Sequence, residues 1–145
     1  MAGHVYRMES ALGMLAKMSG NLILAKLHLS RALQSATLID DRSAEMRAMN
    51  QLGLLALTDG KWERAAKLFE TADRQAQSIK ENRLQYVVCA GIMRHLSGEV
   101  KIANSHIDLA HSIVQQDKEN AALLLSNLGK NLLAIDEAGL AIEVL

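Results

Sequence analysis

The chain has 145 residues, half of them apolar, with one Trp, two Tyr, one Phe, one cysteine and no proline. That length allows one domain with a sizeable core; with so few aromatics the core must be filled by Leu, Ala, Met, Ile and Val, which suits close-packed helices. Sixteen Lys plus Arg balance sixteen Asp plus Glu, which argues against broad attraction to nucleic acid or an anionic membrane.

From about Val5 to Met18, Met8, Leu12, Leu15 and Ala16 recur at three- and four-residue intervals, the period of a first helix. Ser19-Gly20 turns the chain, and a second helix follows from about Asn21 to Leu38, with Leu22, Ala25, Leu29, Ala32 and Leu33 on one face. Asp40-Asp41 stops it and supplies carboxylates able to cap the next helix; Ser43, with acidic Glu45 in the first turn, helps to start that helix. A second pair is expected at about Ser43–Thr58 and Lys61–Ile79, and a third at about Arg83–Leu96 and Glu99–Gln116, with polar breaks at Lys80-Glu81-Asn82 and Asp117-Lys118-Glu119-Asn120. A last helix runs from Ala121 to Ile135, followed by a stub from Glu137 to Leu145. Period-two alternation never persists, so no strand is expected.

The three pairs share one skeleton, clearest in Leu52–Ala72, LGLLALTDGKWERAAKLFETA. Gly53 falls where two helices cross closely, Gly60 in the turn between them, and Ala65 and Ala72 on the second helix beside Trp62, Leu68 and Phe69. Gly13, Gly20, Ala25 and Ala32 precede this set by 40 residues, and Gly91, Gly98, Ala103 and Ala110 follow it by 38. Gly129 and Ala141 give a worn fourth copy, with Asp136 at the turn position. Self-similarity at such a period marks stacked helical hairpins. The fold expected is all-α: an α-solenoid of antiparallel hairpins in a single domain, with repeats at about 5–41, 43–80 and 82–117 and a partial fourth at 119–145.

The Leu-Gly, turn-Gly, Ala, aromatic, Ala skeleton closely resembles the tetratricopeptide repeat (TPR), over essentially the whole chain. The usual TPR period is 34 residues, with a proline often ending the second helix; here it is 38–40, and Thr37, Gln77 and Gln115 stand where that proline would fall. The longer repeat is similar to extended variants such as MalT-like regulator arms or the TPR subunit of the cohesin loader. Two residues depart from the pattern by placing charge at core-facing positions. Glu9 lies at the N-terminal end, where exposure is cheap, and Arg94 needs a partner or a route to water.

The resemblance implies that function lies on the concave surface formed by the first helix of each hairpin. The positions it assigns there are Arg7, Ser10, Met14 and Lys17; Arg47, Asn50, Leu54 and Leu57; Gln85, Val88, Ile92 and His95; and Leu123, Ser126, Lys130 and Leu133. Met14, Leu54 and Ile92 are expected as a solvent-facing apolar strip. Arg7, Lys17, Arg47 and Lys130 border it, and none of the sixteen is acidic. Such a groove suits an apolar helix or extended peptide of a partner protein that carries carboxylates. The alternative for the apolar members is packing between repeats. The TPR subtype that clamps chaperone C-termini with Lys, Asn and Arg is not matched, because Ser10, Met14, Gln51, Gln85 and Cys89 occupy its positions.

No metal, cofactor or catalytic set is expected. His106 and His111 are five apart, about 140° around a helix, and do not make a ligand pair. His28 and His106 occupy equivalent places two repeats apart. The isolated glycines are repeat glycines, not a phosphate loop or a nucleophile elbow. Lone Cys89, among Val87, Val88 and Ala90, reads as a buried hydrophobe. No apolar run reaches about 18 residues, and the N-terminus has no signal-peptide pattern, so no membrane contact and a cytoplasmic or nuclear place are expected. The function expected is a non-catalytic protein–protein interaction module. The alternatives are a structural segment of a larger TPR superhelix and, least favoured, an unrecognised enzyme. A second copy, a partner or further repeats are expected to cover the C-terminal end, where Ala141, Ile142, Val144 and Leu145 are apolar.

Overall fold

A computed structural model describes residues 2–137, which form seven α-helices and a single 3-10 turn, with no strand among them. The helices are α1 (Ala2–Met18), α2 (Leu22–Leu38), α3 (Arg42–Thr58), α4 (Trp62–Ser78), α5 (Leu84–Leu96), α6 (Val100–Gln116) and α7 (Ala121–Glu137). The most extensive contacts are α1 with α2, α3 with α4 and α5 with α6, so these pairs form three hairpins; α2 then packs on α3, and α4 on α5.

Each hairpin turns on a glycine. Gly20, Gly60 and Gly98 have φ of +81°, +73° and +83°, a left-handed conformation that costs a residue with a Cβ more than it costs glycine. The turns between hairpins use the same conformation at Asp40 and Lys80, which carry side chains. Capping partly follows expectation. Asp41, not Ser43, is the N-cap of α3, its carboxylate accepting from the Ala44 N–H at 3.0 Å, and Asn21 does the same for Leu24 at 3.1 Å. The Ser43 hydroxyl instead accepts from Arg47 and reaches toward Glu81.

The helix pairs approach as the skeleton requires. A Cβ built on Gly53 would lie 2.8 Å from Phe69 Cζ, one on Gly13 2.8 Å from Leu29 Cγ, and one on Gly91 3.2 Å from His106 Cβ. Gly129 is different: nothing stands within 4 Å of its Cβ position. Ala141 and the rest of 138–145, including the expected apolar end, lie outside the described residues.

Charges at core-facing positions are paired. Glu9 is not an exposed end residue; its carboxylate lies 2.6 Å from His28 Nδ1, and both side chains are largely buried. Arg94 meets Glu70 through two guanidinium nitrogens and Glu99 through the third, and His106 Nε2 adds a contact to Glu70 at 2.8 Å. Burial alone would push the Glu70 carboxyl up, but the hydrogen bonds from Arg94 and His106 outweigh it and hold the group below its ordinary value. The Glu70 bonds raise the Arg94 guanidinium, which stays charged. Arg83 and Asp73 form a bidentate pair at 2.7 and 3.0 Å. These bridges tie α4 to α5 and α6.

The largest departure is α7. It does not continue the row of first helices in register but contacts both α5 and α3. Leu124, Asn131 and Ile135 are its buried residues. Leu132, Ala134 and Ile135 join the core formed by Leu54, Leu57, Cys89 and Met93, while Leu124, Leu128 and Leu132 pack with Val88 and Ile92.

Candidate functional site

The placement of α7 corrects the expected apolar strip. Leu54 is 4%, Leu57 1% and Val88 7% exposed, Gln85 is buried, and Ile92 packs between two core clusters. These side chains are apolar because the chain's own α7 covers them, so they are not a free surface. On α7 the expected concave residues Leu123, Ser126 and Leu133 point to solvent. The buried face lies one residue further along, at Leu124 and Asn131, a rotation of about 100°. Only Lys130, at the margin, reaches the concave side.

A cavity of about 970 Å³ remains between α1, α3, the 80–82 turn, the start of α5 and α7. Seven of the expected groove residues line it: Arg7, Ser10, Met14, Arg47, Asn50, Gln85 and Lys130. Lys17, half-buried near the end of α1, and His95, exposed near the end of α5, stand outside its lining. The other lining residues were not singled out as binding residues in the sequence: Tyr6 and Ala11 of α1, Ser43 and Gln51 of α3, Lys80, Glu81 and Asn82 of the turn, Tyr86 of α5, and Asn127 and Asn131 of α7. Turn residues were missed because the resemblance assigns the surface to helices. Asn131 had a visible signal, a lone amide next to the apolar run Leu132, Leu133, Ala134.

The walls are polar and mostly cationic. Arg7, Arg47, Lys80 and Lys130 face a single acid, Glu81. The Arg47 guanidinium stands 6.0 Å from the Tyr6 ring centroid, at the outer limit of a cation–π contact, and donates to Ser43 Oγ at 3.0 Å. These two contacts hold Arg47 at the mouth. Across the cavity Asn50 and Asn131 exchange hydrogen bonds, and Asn131 Nδ2 also lies 3.6 Å from Cys89 Sγ. Burial pushes the Cys89 thiol up to about 12 against a smaller opposing effect of Asn131, so the sulfur is not poised as a nucleophile. Desolvation likewise raises the Tyr86 phenol.

Two buried acceptors in this wall have no protein partner: the Gln51 and Gln85 Oε1 atoms. A buried carbonyl oxygen without a donor costs about 1–3 kcal/mol. The site therefore presents cationic donors at its rim and bare acceptors deeper in. That combination suits a ligand with both carboxylates and N–H groups, which is the chemistry of a peptide. Among the described residues no group of three or more His, Cys, Asp or Glu is placed to hold a metal ion, and no helix is long and apolar enough to cross a membrane. No protein-family model matches the chain, and no curated protein matches it.

Proposed function

We propose that this chain is a TPR-like helical-repeat module that binds a short segment of another protein and carries out no chemistry of its own. The observation that carries the reading is the cavity wall: Arg7, Arg47, Lys80 and Lys130 above the unpartnered Gln51 and Gln85 oxygens. An extended peptide would place carboxylates against the cations and backbone N–H groups against the two amide oxygens. Because α7 already fills the C-terminal half of the concave side, the partner is a short extended segment; a long helix lying along the whole groove does not fit this reading. The cations contribute orientation and encounter rate more than affinity.

A display library of short random peptides tests this. Enriched sequences should carry Asp, Glu or a free C-terminal carboxylate, and Arg47→Glu combined with Lys130→Glu should remove the enrichment while far-UV circular dichroism stays unchanged. Enrichment of peptides without carboxylates, or enrichment indifferent to both substitutions, would overturn the reading.

A further inference from the structure

The exposed apolar side chains of α1 fall in one stripe. Val5, Met8, Leu12 and Leu15 lie at intervals of three, four and three residues, between 39 and 59% exposed, and Leu24 of α2 is 40% exposed at the matching position of its own helix. The internal repeat shows what such a stripe is for. The counterparts of Met8, Leu12 and Leu15 are Ala48, Leu52 and Leu55 in α3, and Tyr86, Ala90 and Met93 in α5. All six are at most 8% exposed. Leu52 and Leu55 pack with Leu22, Ala25 and Leu29 of α2, and the α5 set packs with Ala66, Phe69 and Ala76 of α4. The same face, helical, apolar and flat enough to receive a helix, is uncovered only in the first hairpin.

We infer that this face is a self-association surface on which a second copy of the chain docks, α1 stripe against α1 stripe about a two-fold axis. Three observations select that occupant. In the interior interface the His106 ring takes its carboxylate from the preceding hairpin, through Glu70. In the first hairpin the equivalent His28 takes it from the same hairpin, through Glu9 at 2.6 Å. The face is thus electrically complete and asks for no acid from a preceding hairpin, and burying it strands no unpaired charge at that position. Second, the opposite end of the molecule cannot supply a matching helix in head-to-tail fashion. Where α4 presents Ala66, Glu70 and Asp73 to its neighbour, α6 presents Asn104, Asp108 and His111, all exposed. An isologous contact therefore closes at two copies. Third, the area suffices. Two 17-residue helices make a face about 25 Å long and, with both helices side by side, about 20 Å wide, comparable to the roughly 800 Å² per partner of a standard interface.

Sedimentation of the intact chain at high micromolar concentration should show a dimer. Leu12→Glu with Leu15→Glu should shift it to monomer without loss of helicity, since both positions are solvent-facing in the single chain. A second variant guards against misfolding: Leu12→Cys should be joined into a covalent dimer by a short bismaleimide, whereas Lys101→Cys on the exposed side of α6 should not. Cys89, being buried, does not compete. A clean monomer, a ladder of species beyond the dimer, or equal cross-linking at both cysteines would each overturn the inference.

Discussion

The side-chain amides of Asn50 on α3 and Asn131 on α7, 81 residues apart in the chain, hydrogen-bond one another in both directions at 3.1 and 2.7 Å. This pair forms one polar tie between α7 and the hairpins, and it sits at the boundary between cavity and core. Removing either partner leaves a part-buried amide unsatisfied, so Asn50→Ala and Asn131→Ala should each destabilise the fold by about 1–3 kcal/mol. The double variant should cost less than the sum, with a coupling of about 0.5–3 kcal/mol. Urea unfolding of the four proteins measures it; strict additivity would mean that the two amides do not meet.

The glycines separate crowding from helix propensity. A Cβ on Gly53 would stand 2.8 Å from Phe69, whose ring is fully buried and has nowhere to move. Gly53→Ala should therefore be net destabilising: overpacking costs about 1–3 kcal/mol, and the better helix propensity of Ala returns about 1. Gly129 lies within α7 with open space around it. Gly129→Ala should stabilise by about 0.5–1 kcal/mol, a rise in melting temperature of a few degrees for a chain of this length. Equal effects at the two sites would show that space does not set the sign.

Acid should loosen the junction between α4, α5 and α6. The folded-state carboxyl of Glu70 is held below its ordinary 4.5 by hydrogen bonds from Arg94 and His106, which overcome the opposing effect of burial. A depressed carboxyl contributes stability that is fully present above the unfolded value and is lost as pH falls through the folded one. The stability advantage of the native protein over Glu70→Gln should accordingly shrink as the solution is acidified below 4.5. Chemical denaturation of both proteins across that range reads it directly. A constant difference would mean that the carboxylate titrates alike in the folded and unfolded chains.

How far the sequence reached can be seen at particular residues. The helix positions followed from apolar periodicity, and the turn glycines from their spacing, because both are local properties. Half of the cavity wall was legible for the same reason: Arg7, Ser10, Met14, Arg47 and Asn50 sit on first helices whose facing is set within one hairpin. Leu54, Leu57, Val88 and Ile92 were placed in solvent because repeat equivalence says which side of a helix they occupy but not what lies against that side. The covering element, α7, departs from the repeat by a rotation of one residue, and that rotation follows from tertiary contacts about 80 residues apart in sequence. Apolar identity at Leu54 fits a ligand groove and a buried seam equally well; only the position of α7 decides between them.

The α7 docking can be tested through Cys89. The sulfur lies beneath α7, in contact with Asn131 and in the same cluster as Ile135, and its thiol is raised to about 12 by burial. In the intact protein it should react slowly with a thiol reagent, on the timescale of local opening. Placing carboxylates at the buried α7 positions, Leu124→Asp with Ile135→Asp, should release the helix, since an unpaired charge in either cluster is costly. Cys89 should then label quickly, and Leu54 and Val88 should contribute to binding of a hydrophobic dye. Leu123→Asp and Leu133→Asp, one residue and two residues away on the exposed side, should leave labelling unchanged and stability within about 0.5 kcal/mol. The two pairs of substitutions differ little in sequence position and composition, so the contrast reads the rotation of α7 itself. If the Leu123/Leu133 pair exposed the thiol and the Leu124/Ile135 pair did not, α7 would lie in the regular repeat register, and the concave strip of Leu54 and Ile92 would be open after all.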